Sequence, residues 1–132
     1  MINAAAATSP LDITLRRLVL AVAALTALSG AFQMVLPDIV LRLIGGTSTP
    51  STRHFFGLVG MFMLIVGAAL WVAVRDGSTG VVLVLAAQKA GAVGGVVIGV
   101  ADAIFGPLAL LVAGFDALSC LLILWYWQRS RS

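Results

Sequence analysis

Long runs of apolar residues alternate with short polar stretches along the whole chain. The apolar runs cover residues 18–36, 54–74, 81–105 and 107–127. Each run reaches or nearly reaches the roughly 20 residues that an α-helix needs to cross the hydrocarbon core of a bilayer. Because the connections are short, consecutive helices must run in opposite directions. The pattern therefore predicts an all-α protein, an integral membrane four-helix bundle with up-down-up-down order, in which residues 1–132 form a single membrane domain.

The polar stretches predict where helices start and stop. Ser9-Pro10-Leu11-Asp12 is typical of a helix start, because serine caps, proline suits the first turn and an acidic residue favours the positive helix end. The first apolar run also resembles a signal peptide, but we interpret it as a membrane helix. Residues 38–44 place their apolar side chains on one face, so they form either a short interfacial helix or a loop.

Composition supports the membrane class. The chain has 132 residues, of which 61% are hydrophobic and only 10% charged, and its mean hydropathy is +1.14. Soluble domains carry about 25% charged residues, so this chain has too few polar side chains to cover a surface in water. No basic stripe with interleaved aromatic residues is present, and we expect no nucleic-acid partner.

Positive charges are unequally divided between the two sides of the predicted bundle. The side opposite the termini carries two of them outside the hydrocarbon, Arg42 and Arg53. The side of both termini carries five, namely Arg16, Arg17, Arg75, Arg129 and Arg131. By the positive-inside rule we expect a multi-pass protein of the cell inner membrane with both termini in the cytoplasm.

Two charged residues, Lys89 and Asp116, lie deep inside apolar runs. At 1.5 Å per residue, Lys89 lies roughly 13 Å and Asp116 roughly 16 Å from the cytoplasmic ends of their helices. An ion pair at this common height would neutralise two costly charges. Alternatively, Lys89 leans towards the N-terminus of its helix and reaches water, and an unpaired Asp116 is favoured in its neutral form by desolvation.

One face of the third run carries a ladder of small residues between polar ones. Gln88, Gly91, Gly95, Gly99 and Asp102 follow one another at spacings of three and four residues. The favoured interpretation is a packing seam, within the bundle or between subunits. The alternative is a groove for an apolar or amphipathic, isoprenoid-like small molecule. Its candidate ligand-binding residues are Gln88, Lys89, Asp116, Gly91, Gly95 and Gly99.

A second polar group is expected at the outer end of the bundle. Asp102 lies roughly 33 Å from the cytoplasmic end, near the level of Asp38, Arg53 and His54. A His–carboxylate–Arg cluster could perform acid–base chemistry, but we favour salt bridges that orient the second and third helices. Candidate catalytic residues are thus Asp116, His54 and Asp102.

Metal and cofactor motifs are missing from the sequence. The chain has one histidine and one cysteine, Cys120, which is too small a set for a metal site. It also has no phosphate loop, nucleophile elbow or haem-attachment motif. We therefore expect no metal and no cofactor.

Two motifs suggest a family. Arg53-His54-Phe55-Phe56-Gly57 starts the second apolar run, and Phe115-Asp116 precedes Trp125-Tyr126-Trp127 in the fourth. With its four-helix layout, the chain resembles the small bacterial membrane proteins loosely grouped as DoxX-like. The resemblance implies the architecture and no particular activity or site residues.

Three functions remain open at this point. The leading hypothesis is a non-enzymatic bundle in the lipid bilayer that packs with itself or with partner membrane subunits through its glycine faces. One form of this hypothesis adds that the bundle holds a lipid-like ligand. The second is a membrane enzyme of isomerase or cyclase type with Asp116 as intramembrane acid. The third is a small proton-coupled exporter with Asp116 as the titrating group.

Overall fold

The computed structural model describes residues 9–132, and all regular structure in this part of the chain is helical. The helices are α1 (Pro10–Val35), α2 (Pro37–Leu43), α3 (Pro50–Asp76), α4 (Thr79–Ala101) and α5 (Ala109–Ser130). Four of them, α1, α3, α4 and α5, are long and apolar enough to cross a membrane. The predicted fold class is thus confirmed, and the chain is a multi-pass membrane protein.

The two longest helices begin with the same capping arrangement. The hydroxyl of Ser9 accepts a hydrogen bond from the amide of Asp12, whose carboxylate accepts from the amide of Ser9. Thr49 and Thr52 form the equivalent reciprocal pair at the start of α3. Such a box satisfies two amides that a helix end would otherwise leave unpaired. The predicted start at Ser9 is confirmed, and α1 and α3 both begin before the apolar runs they contain.

The boundary predicted between the third and fourth runs is wrong by several residues. Helix α4 ends at Ala101, not at residue 105, because Ala103 adopts a left-handed backbone conformation with φ of 57°. The chain then folds back, so that the amide of Phe105 donates to the carbonyl of Gly99 at 3.1 Å. The amide of Gly106 donates to the carbonyl of Ile44 at 2.8 Å, and α5 begins only at Ala109, not at residue 107.

Residues 38–44 fall within the short helix α2 and its C-cap, which confirms the helical alternative for this stretch. Its Asp38 and Arg42 are joined by an ion pair of 3.0 Å on the exposed side. Leu41 points inward and is buried. The helix thus closes part of the bundle end opposite the termini.

The bundle consists of two closely packed pairs, α1 with α3 and α4 with α5. Three glycines let the first pair touch backbone to backbone: a Cβ atom at Gly30, Gly60 or Gly67 would lie 2.5 Å from a backbone nitrogen of the other helix. Gly57 is looser, since its nearest neighbour across the interface, the carbonyl oxygen of Met34, would be 3.6 Å away.

The main hydrophobic core joins the two pairs at the end of the bundle that carries the termini. An exposed ion pair of 2.8 Å between Asp12 and Arg129 lies beyond it. Away from this core, the helix pairs leave space between them for a cavity. The core cluster consists of Val19, Val22, Ala23, Leu70, Ala73, Val74, Val82, Leu85, Ala86 and Ile123.

Candidate functional site

A buried ion pair joins the two helices of the second pair. The Nζ atom of Lys89 lies 2.6 Å from Oδ1 of Asp116, and the two side chains are only 3% and 5% exposed. The ring of Phe115 lies beneath the same ammonium group at 5.2 Å. Lys89 therefore pairs with Asp116 and does not reach back to water, which decides between the two alternatives left open by the sequence.

Small residues on α5 make this pairing possible. Ala109, Ala113 and Ser119 are buried on the face that carries Asp116, so α4 can approach closely. One turn further along, the thiol of Cys120 lies 3.4 Å from the carbonyl oxygen of Ala86 on α4. The short distance between the helices brings the ends of both charged side chains together in the interior.

A cavity of about 310 Å³ lies directly against the ion pair. Its walls are mostly apolar and come from every helix of the bundle. Polar atoms reach it from four residues, Gln33, Gln88, Lys89 and Asp116. Apolar lining residues include Phe56, Val59, Met63, Val96, Phe105 and Val112. A few convergent polar groups in an otherwise apolar concavity are typical of small-molecule sites.

The polar groups of this cavity are unequally satisfied. The amide nitrogen of Gln33 donates to the carbonyl of Phe56 at 2.9 Å. The Oε1 atom of Gln88 is buried and has no hydrogen-bond partner among residues 9–132. The hydroxyl of Thr26 is also buried without a partner, but it does not line the cavity. Gln88 lines the cavity, but this oxygen atom is enclosed by protein.

The rim of the cavity is apolar and open. Val59 on α3 is 49% exposed and Val112 on α5 is 40% exposed. Gly95 on α4 is exposed too, and apart from the adjacent backbone of α4 no atom of the described residues lies within 4 Å of the position where its Cβ would be. These residues leave the cavity open at the surface of the protein.

The glycine ladder on α4 does not form a seam within the bundle. Apart from chain neighbours and the adjacent backbone of α4 itself, no atom of residues 9–132 lies within 4 Å of a Cβ position at Gly91, Gly94 or Gly95. Gly99 contacts the ring of Phe105 from its own chain, where a Cβ would lie 2.6 Å from the ring. The expectation of a packing seam inside the bundle is thus wrong for Gly91 and Gly95. Of the ladder glycines predicted to bind a ligand, Gly95 lines the cavity, whereas Gly91 and Gly99 do not.

The outer polar cluster forms only in part. Asp38 pairs with Arg42, and Arg53 lies 3.7 Å from Asp38, so this ion pair joins α2 to α3. Among residues 9–132 no salt bridge joins the second and third membrane helices, α3 and α4, so the expectation that salt bridges orient these two helices is not met. The hydroxyl of Ser48 donates to Asp38, and this bond, together with Arg42, lowers the pKa of the carboxyl group.

The two catalytic candidates at this end, His54 and Asp102, are not paired with an opposite charge in the part of the chain that the structure describes. His54 is exposed and meets the ring of Phe55 edge-on at a centroid distance of 5.8 Å. Asp102 is exposed at the end of α4. Within residues 9–132 neither side chain forms an ion pair within 4 Å. The expected His–carboxylate–Arg constellation is therefore not assembled.

No group of three or more His, Cys, Asp or Glu side chains in the described chain is placed to hold a metal ion.

Removing one partner of the buried pair should destabilise the protein more than removing both. Lys89→Met leaves a buried carboxylate uncompensated, which should cost about 3–5 kcal/mol of unfolding free energy, whereas the double variant Lys89→Met/Asp116→Leu should lose less. Thermal unfolding in mild detergent, analysed as a double-mutant cycle, measures the coupling.

The exposed Asp12–Arg129 pair provides the control, since such pairs contribute about 0–1 kcal/mol. Additive losses at Lys89 and Asp116 would contradict the pairing.

Comparison of the chain with protein-family models, curated proteins and solved structures finds no match. The resemblance to DoxX-like proteins stays a prediction. The cavity and the buried ion pair are the features of this chain that bear on its function.

Proposed function

We propose that this membrane protein holds a lipid-soluble small molecule in the cavity beside Lys89 and Asp116. The observation that carries the proposal is a concavity with an apolar, exposed rim and buried polar groups at its base. Its volume of about 310 Å³ lies at the lower end of the roughly 300–1,000 Å³ range of ligand pockets. A single hydrocarbon chain with a small polar head matches that size and polarity.

The ion pair supports this function in two ways. Because the two charges neutralise each other, the base of the cavity is strongly polar without a net charge. The pair also fixes α4 against α5, so the lining residues Val96 and Val112 keep their positions without a ligand. A largely preformed site loses little conformational freedom on binding.

Filling the cavity should abolish binding. A 12-carbon alkane carrying a photoreactive diazirine at mid-chain should label lining residues such as Met63 and Val96 in the wild-type protein in nanodiscs. Ala92→Phe, which puts a ring into the cavity, should reduce that labelling at least tenfold. Peptide mapping by mass spectrometry gives the positions of the label.

Ala90→Phe is the matched control, because Ala90 is exposed on the same helix and does not line the cavity. Labelling that is confined to lipid-facing residues such as Leu111 and Leu118 would contradict the proposal. Equal labelling of Met63 and Val96 in the wild type and the Ala92→Phe variant would contradict it as well. Leu111 and Leu118 are 70% and 59% exposed.

The enzyme and exporter hypotheses gain less support. The cavity does touch Asp116, as an intramembrane acid would require. However, the side chain of Asp116 is already engaged in an ion pair with Lys89 at 2.6 Å, so it is not a free group facing the cavity. The mostly apolar lining also gives little support to the water-filled path that a proton-coupled exporter needs.

Self-assembly through α4 is a second candidate function, supported by the open space above Gly91 and Gly94. Both glycines are exposed, so a helix of another copy or of a partner subunit could approach to backbone contact. This use of the glycine face is compatible with ligand binding, since neither residue lines the cavity.

If α4 is such an interface, Gly91→Leu should convert an oligomer into monomers, because the added side chain prevents close approach. Native mass spectrometry from mild detergent measures the change in mass. Gly114→Leu is the control, since Gly114 is exposed on α5 with open space around it. An unchanged assembly in Gly91→Leu, or a wild type that is already monomeric, would exclude this interface.

We further propose that both termini lie in the cytoplasm, based on the five arginines on that side against two on the other. In a Cys120→Ser background, a membrane-impermeant maleimide added to intact spheroplasts should modify Ser51→Cys at the start of α3. It should modify Ser132→Cys only after permeabilisation. The reverse labelling pattern would invert the proposed orientation.

A further inference from the structure

We propose that a second cavity, at the end of the bundle that carries the termini, binds the phosphate group of an anionic phospholipid. This terminal cavity has a volume of about 540 Å³ and is lined by residues 12–17 near the start of α1 and 126–130 near the end of α5. It shares no lining residue with the cavity beside Lys89 and Asp116. The proposal is therefore independent of the ligand proposed for that cavity.

The terminal cavity carries an excess of positive charge. Asp12 and Arg129 both line it, and they neutralise each other in an ion pair of 2.8 Å. Arg16 and Arg17 line it too, and among residues 9–132 neither forms an ion pair within 4 Å. Residues 1–8 contain no acidic side chain. Two guanidinium groups thus remain beyond the ion pair, and they attract an anion to this end of the bundle.

The chemistry of these groups favours phosphate. A guanidinium group is planar and presents its N–H donors as a fork that matches two oxygens of a phosphate. A zwitterionic head group would also bring an ammonium group to a cavity that already has positive charges in excess. We therefore expect a lipid with a net negative head group to bind more tightly than a zwitterionic one.

The depth of the terminal cavity favours a lipid over a soluble phosphate. Arg16 and Arg17 directly precede the apolar run of the first membrane helix, and residues 125–127, just before Arg129, are Trp-Tyr-Trp. Tryptophan and tyrosine are enriched at the level of the lipid head groups. The cavity also has an apolar lining residue, Ile13, which is 43% exposed. A phospholipid matches both the charged and the apolar lining, whereas a soluble phosphate matches only the charged part.

Lipid titration of the purified protein tests the site. Native mass spectrometry from mild detergent compares phosphatidylglycerol with phosphatidylcholine of the same acyl chains. The first molecule of phosphatidylglycerol should bind about tenfold more tightly, because each arginine near a lipid surface contributes about 1 kcal/mol, or roughly fivefold in affinity. The measurement does not depend on the orientation of the protein in the cell membrane.

Variants at the two arginines connect this preference to the terminal cavity. Arg17→Gln should weaken the binding of phosphatidylglycerol about fivefold and leave that of phosphatidylcholine unchanged. Arg16→Gln is a second variant with the same expectation. Both side chains are exposed, so their replacement should not impair folding. An unchanged melting temperature in the absence of added lipid checks this point.

Arg75→Gln is the matched control. Arg75 is exposed near the end of α3, at the same end of the bundle, but it does not line the terminal cavity. Its replacement removes the same charge from the protein. The affinity for phosphatidylglycerol should nevertheless stay within about twofold of the wild type, because the screening of exposed charges by salt limits their effect at a distance.

Each of the other outcomes would overturn the proposal. An equal loss of affinity in Arg75→Gln and Arg17→Gln would mean that the lipid responds to total charge and not to a site. Equal affinities of the wild type for the two lipids would exclude the anionic head group. Unchanged binding in both Arg16→Gln and Arg17→Gln would exclude these arginines. Displacement of phosphatidylglycerol by millimolar inorganic phosphate at constant ionic strength would assign the cavity to a soluble phosphate.

Discussion

Neither Lys89 nor Asp116 is exposed to water, so each of these charges depends on the other for its stabilisation. An isolated charge at this depth would be expensive, and the structure avoids it by holding α4 against α5 at a spacing that allows a 2.6 Å contact. Small buried residues on α5 allow this spacing, and the cavity lies directly against the pair. Because the pair is neutral and anchored, the cavity gains a polar base without the cost of an unpaired buried charge.

Glycine has two distinct uses in this bundle. Gly30, Gly60 and Gly67 allow α1 and α3 to touch along their backbones, where any side chain would collide with the opposite helix. The glycines on α4 instead leave space: Gly95 opens the rim of the cavity, and Gly91 and Gly94 present a bare helix surface to the surroundings. A pattern of small residues in a membrane helix therefore indicates either close contact with another helix or open space beside it. Which of the two applies depends on whether a second helix packs against that face.

Hydrophobic runs and capping residues predicted the membrane helices and the start at Ser9, because both depend on neighbours in the sequence. Helical rise also placed Lys89 and Asp116 at a common height. Whether they meet depends on the rotation of each helix about its axis, which is determined by packing between helices. The fold-back at Ala103, which carries Phe105 onto Gly99, likewise has no local signal. Gln33 could have been identified as a cavity residue, since it is a polar residue inside an apolar run.

The backbone contact between α1 and α3 has a consequence for how a site of this kind can diversify. A wall built on glycine-to-backbone contact cannot shift to accommodate a larger ligand, because even one methyl group would collide there. The side chains that line the cavity, such as Phe56 and Val59 on α3 and Ala92 and Val96 on α4, can in contrast be exchanged without separating a helix pair. In a lineage built on this scaffold, changes in ligand preference would therefore accumulate at these lining positions, while Gly30, Gly60 and Gly67 keep α1 fixed against α3.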